Sequence, residues 1–184
     1  MRQPHYHPYD CEEQPMNYTH LPHDPYAAAV MEALEADGML DAEGSWTEYS
    51  SDNGVVMVME LVITLDEDRT TAAGWEYGAT LLWNQVEGWQ WGPGSKEGHL
   101  QRAEPLIVGC VVPEPADVVR AAAILLDGAP PAGRLPIAGA ARPAAAGAVP
   151  PAIQELLDAG AEPGTEDYAP TEETLRQLAA YAVA

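Results

Sequence analysis

The chain is predicted to fold as an α+β domain, an antiparallel sheet of four to five strands with flanking helices, followed by an Ala/Pro linker and two C-terminal helices. Three observations carry this. Residues 55–64, Val-Val-Met-Val-Met-Glu-Leu-Val-Ile-Thr, are apolar on both alternating faces and rich in β-branched side chains, as a covered strand requires. Trp75, Tyr77, Ala79, Leu81 and Trp83 then alternate with Glu76, Gly78, Thr80 and Leu82, the period of a strand with one dry face. An amphipathic helix start stands on either side of this sheet, at Asp24-Pro25 and at Pro113-Glu114-Pro115-Ala116-Asp117.

In chain order, residues 1–23 read as an extended tail, because Pro4, Pro8, Pro15 and Pro22 interrupt any helix. The α+β domain spans 24–128. Asp24 suits an N-cap and Pro25 the first helical position, and Tyr26, Val30 and Leu34 recur four apart until Gly38 stops the helix. Trp46 to Tyr49 make a short strand, turned by Ser51-Asp52-Asn53-Gly54 into the long apolar one. Asp66-Glu67-Asp68-Arg69 reads as a solvated reversal, since it lacks the spaced ligands of a calcium loop. Asn84 to Gly88 reverses the chain into Trp89-Gln90-Trp91, and Pro105 to Val112 reads as the last strand. Val118, Ala122 and Leu125 or Leu126 then face inward on a helix closed by Asp127-Gly128. Residues 129–151 hold nine Ala, six Pro and three Gly and form the linker. In the helical segment 152–184, Ile153, Leu156 and Leu157 line one short helix, and Thr171 caps a second that carries Leu175 and Leu178 on one stripe.

A length of 184 residues with 47% hydrophobic content fits one core. No run approaches the roughly 18 apolar residues of a membrane span. The N-terminus has no secretory-type apolar stretch, so a cytoplasmic location is expected. Cys11 and Cys110 give no disulfide framework.

The net charge of -21 is the main compositional anomaly. Residues 24–128 carry most of it, with nineteen acids against four basic residues. Such a surface repels phosphate backbones and anionic lipid, so direct binding to nucleic acid or membrane is not expected, and partners should be basic proteins or cations.

His5, His7, His20 and His23 join Cys11 in the tail, a donor set that suits zinc, although H-x-H-x3-C-x8-H-x2-H matches no standard zinc module. Residues 92–98 resemble a phosphate cradle but lack the Walker spacing and a following helix. His99 stands beside no Ser or Cys in a nucleophile motif, and Glu60, within the apolar strand, has no motif partner. No catalytic residue is assigned, and the chain reads as a non-enzyme. Trp75, Tyr77, Trp83, Trp89 and Trp91 are either core or anchors of an interface. The expected function is therefore an acidic, non-catalytic interaction or regulatory module, binding a basic protein or self-associating through Leu175 and Leu178. Two alternatives stay open: a nucleic-acid mimic that occupies a cationic groove, and a metal-binding protein acting through the tail.

From residue 26 to 128 the segments YAAAVMEALEADG, LLWNQVEGWQWG, PLIVGCVV and PEPADVVRAAAILL resemble a family of small actinobacterial domains, Streptomyces among the sources. The resemblance implies a fold and a taxonomic setting, with no activity, cofactor or catalytic residue. The element order is also similar to that of double-stranded RNA-binding domains. Those need a basic second helix, whereas here Arg120 stands against Glu114, Asp117 and Asp127.

Overall fold

Pro25 in the first turn and the four-residue recurrence of Tyr26, Val30 and Leu34 build α1 (Asp24–Ala36), which buries that stripe. This computed structural model describes residues 21–52, 55–94, 103–128, 149–158 and 170–182. His23, not Asp24, occupies the N-cap. The Asp24 carboxylate instead accepts from the Leu21 N–H at 2.8 Å, holding the entry turn.

Among the described residues the sheet has five strands: β1 (Leu40–Asp52), β2 (Val55–Leu65), β3 (Ala79–Asn84), β4 (Gly88–Pro93) and β5 (Glu104–Pro105). They pair antiparallel in sequence order, so the sheet is a meander. Its inner face is Met59, Leu61, Ile63 and Leu65 of β2, Ala79, Leu81 and Trp83 of β3, and Trp89 and Trp91 of β4, all buried. These side chains share one core with α1 and with Val118, Ala121, Ala122, Leu125 and Leu126 of α3 (Pro115–Leu126).

Three segments depart from the expected pattern. The alternation at Trp75 and Tyr77 does not extend the strand, because the Trp75 indole N–H donates to the Leu125 carbonyl at 3.2 Å and its ring packs edge-on against Trp91, at 5.2 Å between centroids. The expected last strand is reduced to Glu104–Pro105. Beyond it the Leu106 and Ile107 N–H groups both donate to the Trp89 carbonyl, at 2.9 and 3.3 Å, and the Trp83 indole donates to the Val111 carbonyl at 2.6 Å. Side chains and one strand carbonyl thus satisfy a backbone that a ladder would otherwise pair. The acidic reversal is a short helix, α2 (Glu67–Ala72), with Asp66 as N-cap accepting from the Arg69 N–H at 2.9 Å. The Arg69 guanidinium then donates to the Asp37 carbonyl at 2.8 Å, at the C-terminal end of α1, where positive charge is favoured.

The C-terminal helices are α4 (Pro151–Asp158) and α5 (Glu172–Ala179), and the Thr171 hydroxyl caps α5 by accepting from the Thr174 N–H at 3.1 Å. Ile153, Leu175, Leu178 and Tyr181 enter the same core as the sheet. Tyr181 lies 5.0 Å from Tyr26 between ring centroids, and its hydroxyl donates to a Glu114 carboxylate oxygen at 3.3 Å. The short helices therefore find their apolar cover on their own chain.

Candidate functional site

The aromatic residues expected as interface anchors divide. Trp83, Trp89 and Trp91 are buried in the core, Trp75 is half-buried, and Tyr77 is 47% exposed in the turn before β3. The Trp89 indole N–H donates to the Tyr26 hydroxyl at 2.8 Å, and that hydroxyl donates to the Pro113 carbonyl at 3.1 Å. Burial drives the Tyr26 phenol well above its usual value, with the Trp89 bond opposing and Tyr181 adding to the rise. Leu175 and Leu178 are likewise buried, so the α5 stripe packs against the core of its own chain.

His23 belongs to the folded domain, not to a tail. It is fully buried, stacks on Trp83 at 5.9 Å between ring centroids, and its Nε2 stands 3.2 Å from the Glu60 carbonyl. As the donor in that contact, Nε2 carries the proton, and Nδ1 is then a buried acceptor without a hydrogen-bond partner. Burial lowers its pKa, against the Asp24 charge and the Glu60 carbonyl, which raise it. Among the described residues no group of three His, Cys, Asp or Glu side chains could hold a metal ion. His5, His7, Cys11 and His20 lie outside the described residues, as do His99, most of the 92–98 loop and residues 129–148 of the linker.

A half-open cleft of about 600 Å³ lies between the β3–β4 turn, residues 109–111 and α5. Glu87 accepts there from Asn84 and Gln90, and Glu173 accepts from Gln177, so amides hold both carboxylates. Burial pushes the Cys110 thiol of this cleft up, and the carboxylates of Asp117, Glu173 and Glu114 add to the rise against one backbone hydrogen bond. Such surroundings disfavour the thiolate, the nucleophilic form of the side chain.

The outer face of the sheet is different in kind. Register places Trp46 opposite Val62, Val62 opposite Leu82, Leu82 opposite Gln90 and Gln90 opposite Pro105, one row of side chains across all five strands. The next row sets Glu48 opposite Glu60 and Glu60 opposite Asn84. Trp46 is 49% exposed, Pro105 is exposed, and Val62 and Leu82 are half-buried. The face is bounded at one end by a bulge in β1, where the register jumps between Asp41 and Trp46. Gly44 there lies against Thr64, whose hydroxyl donates to the Gly44 carbonyl at 2.9 Å; a Cβ on Gly44 would collide with the Thr64 side chain. Glu60 and Glu48 are like charges directly across two strands. Partial burial raises the Glu60 pKa and the Glu48 charge raises it further.

Sequence reasoning singled out Glu60 for its place in an apolar strand but passed over Trp46, Glu48, Val62 and Leu82 as a set. The available signal was that Val58, Val62 and Leu82 are apolar on the side that alternation assigns away from the core, where helices on one face cannot reach them.

Comparison with known proteins finds no family model, no curated protein and no solved structure that matches this chain. The likeness to the actinobacterial domains rests on the quoted segments alone. Among the described residues no helix is long and apolar enough to cross a membrane.

Proposed function

We propose that the chain is a non-catalytic protein-interaction module that binds a basic partner. The observation that carries this reading is the outer face of the sheet, where an exposed Trp46 and the half-buried Val62 and Leu82 adjoin the paired carboxylates of Glu48 and Glu60. An aromatic anchor beside apolar surface, rimmed by charge of one sign, is the anatomy of a heteromeric interface. The remaining acids extend that sign over the surface: Glu32, Glu35 and Asp37 at α1, Glu67 and Asp68 on α2, and Glu172 and Glu173 on α5 are all exposed. Their spread over separate elements favours steering of a cationic protein over imitation of a phosphate ladder. The Cys110 cleft supports the non-catalytic reading, because burial and nearby carboxylates disfavour its thiolate and the cleft's own carboxylates are engaged by amides.

The test is affinity capture with the full chain at about 50 mM salt, followed by purification of each captured protein and titration back onto the chain. A cationic protein that re-forms a saturable complex, and leaves it at about 500 mM salt, is the expected result. Failure of every captured protein to re-form a saturable complex at the lower salt overturns the reading, as does turnover of a small molecule by the purified chain.

A further inference from the structure

We infer that the outer face of the sheet is the docking site for an arginine-bearing amphipathic segment of a partner protein, with Trp46 as its stacking platform and Glu48 and Glu60 as its carboxylate clamp. This rests on the interaction-module reading and gives it a place and a ligand chemistry.

Charge complementarity commits the occupant. Trp46 and Glu48 are two residues apart on β1 and so lie on the same side of the sheet, about 7 Å apart along the strand. Glu60 faces Glu48 across the ladder, with the pair's backbones about 5 Å apart. Carboxylates on directly opposed residues repel each other, here on a surface that already carries an excess of negative charge, and a cation set between them removes the repulsion. Lysine and arginine both supply the charge. Arginine fits better, because a guanidinium is planar, stacks on an indole and presents a fork of N–H donors to carboxylate oxygens, whereas an ammonium is a strongly hydrated point charge.

The apolar part of the ligand follows from the adjoining row. Val62 and Leu82 continue from Trp46 across the sheet and are only half-buried, and Val58 on the same face of β2, beyond Glu60, is half-buried as well. The described helices put their buried side chains into the core on the inner face. The partner segment therefore needs an apolar residue beside its arginine, to lie over Val62 and Leu82 while the guanidinium reaches Trp46 and Glu48.

The experiment uses the full chain and three fluorescein-labelled decapeptides of equal length: one alternating arginine and leucine, one with lysine in place of arginine, and one with glutamate. Anisotropy at low salt is expected to give saturable binding of the arginine peptide, several-fold weaker binding of the lysine peptide and none of the glutamate peptide. Trp46→Ala is expected to weaken the arginine peptide at least tenfold and to remove most of its advantage over lysine. The double variant Glu48→Gln/Glu60→Gln is expected to weaken it more than Glu32→Gln/Glu35→Gln, which makes the same change in net charge on α1. All variants are compared after their circular dichroism and melting midpoints are shown to match or exceed those of the parent; a Trp46→Ala protein that fails this is replaced by Trp46→Leu, which keeps apolar bulk and removes the stacking face, and a Glu-to-Gln pair that fails it is replaced by its single variants. Arginine-peptide binding that is unchanged by Trp46→Ala, or lost equally in the two Glu-to-Gln pairs, overturns the site while leaving the basic-partner reading intact. Failure of the arginine peptide to bind the parent overturns the site as well, and the capture experiment then decides the broader reading independently.

Discussion

The phenol oxygen of Tyr26 is shared by two elements: it accepts the indole N–H of Trp89 at 2.8 Å and passes its own hydrogen to the carbonyl of Pro113 at 3.1 Å. One side chain on α1 thereby ties β4 to the segment that enters α3, at a fully buried point.

Tyr26→Phe keeps the ring but leaves a buried indole donor and a buried carbonyl without partners. The expected loss is about 1–3 kcal/mol, read as a lower urea midpoint with an unchanged denaturant slope. An unaltered midpoint would mean that water replaces the hydroxyl.

Stability should fall on mild acidification through His23. Its folded-state pKa lies below the ordinary value of 6.5, so the unfolded chain takes up a proton first. The contribution of the neutral ring is complete above the unfolded pKa and is lost as pH falls from there toward the folded value, below which the loss levels off. Glu60 works the other way, since its raised pKa makes the fold relatively more favourable as acid neutralises it. Chemical denaturation at intervals between about pH 7.5 and pH 5 should therefore show a steeper decline for the parent than for His23→Gln. Equal slopes would contradict the buried neutral imidazole.

Glu60→Gln should stabilise the chain at neutral pH. Removing one of two opposed carboxylates relieves their repulsion, but Glu60 is only partly buried and solvent screens the pair, so the gain is roughly 0.5 kcal/mol or less. It should disappear in acid, where the parent side chain is already protonated. A destabilised Glu60→Gln protein at pH 7 would argue against the opposed pair.

The docking of α5 can be read by proteolysis. Leu178→Ala empties a fully buried site and is expected to cost about 2–5 kcal/mol. Because Arg176 lies on the same helix with its side chain exposed, local release of α5 should speed tryptic cleavage there before the sheet unfolds. Cleavage at the parent rate would show that α5 does not depend on this contact.

Much of the architecture was legible in the sequence, and the failures have physical causes. The Thr171 start and the Asp127-Gly128 stop are legible because caps act over one turn of local chain, and the first helix start is legible from Pro25 in its first turn, although His23 and not Asp24 takes the cap position. The Trp89 hairpin was readable for the same reason, since Gly88 supplies the positive φ its turn requires. The segments at Trp75 and after Pro105 have the pattern of strand without forming one, because an apolar pattern reports side-chain burial, not ladder pairing. There the burial is met by an indole bonded to Leu125 and by amides bonded to Trp89. His23 was assigned to the tail because nothing local announces a stack on Trp83, some sixty residues away. The outer-face row was hidden for a related reason: Trp46, Val62 and Leu82 meet only through the register of β1, β2 and β3.

The two outermost strands finish the sheet in opposite ways. β1 interrupts its own line with the bulge between Asp41 and Trp46, and β5 ends after two residues at a proline that has no N–H to offer. Among the described residues the regular part of the β1 rim is limited to residues 46–50, between two breaks in register, and β5 offers two residues. Strand-by-strand growth from either of these rims is thereby confined to short runs, the way a sheet keeps its edges from templating a neighbour.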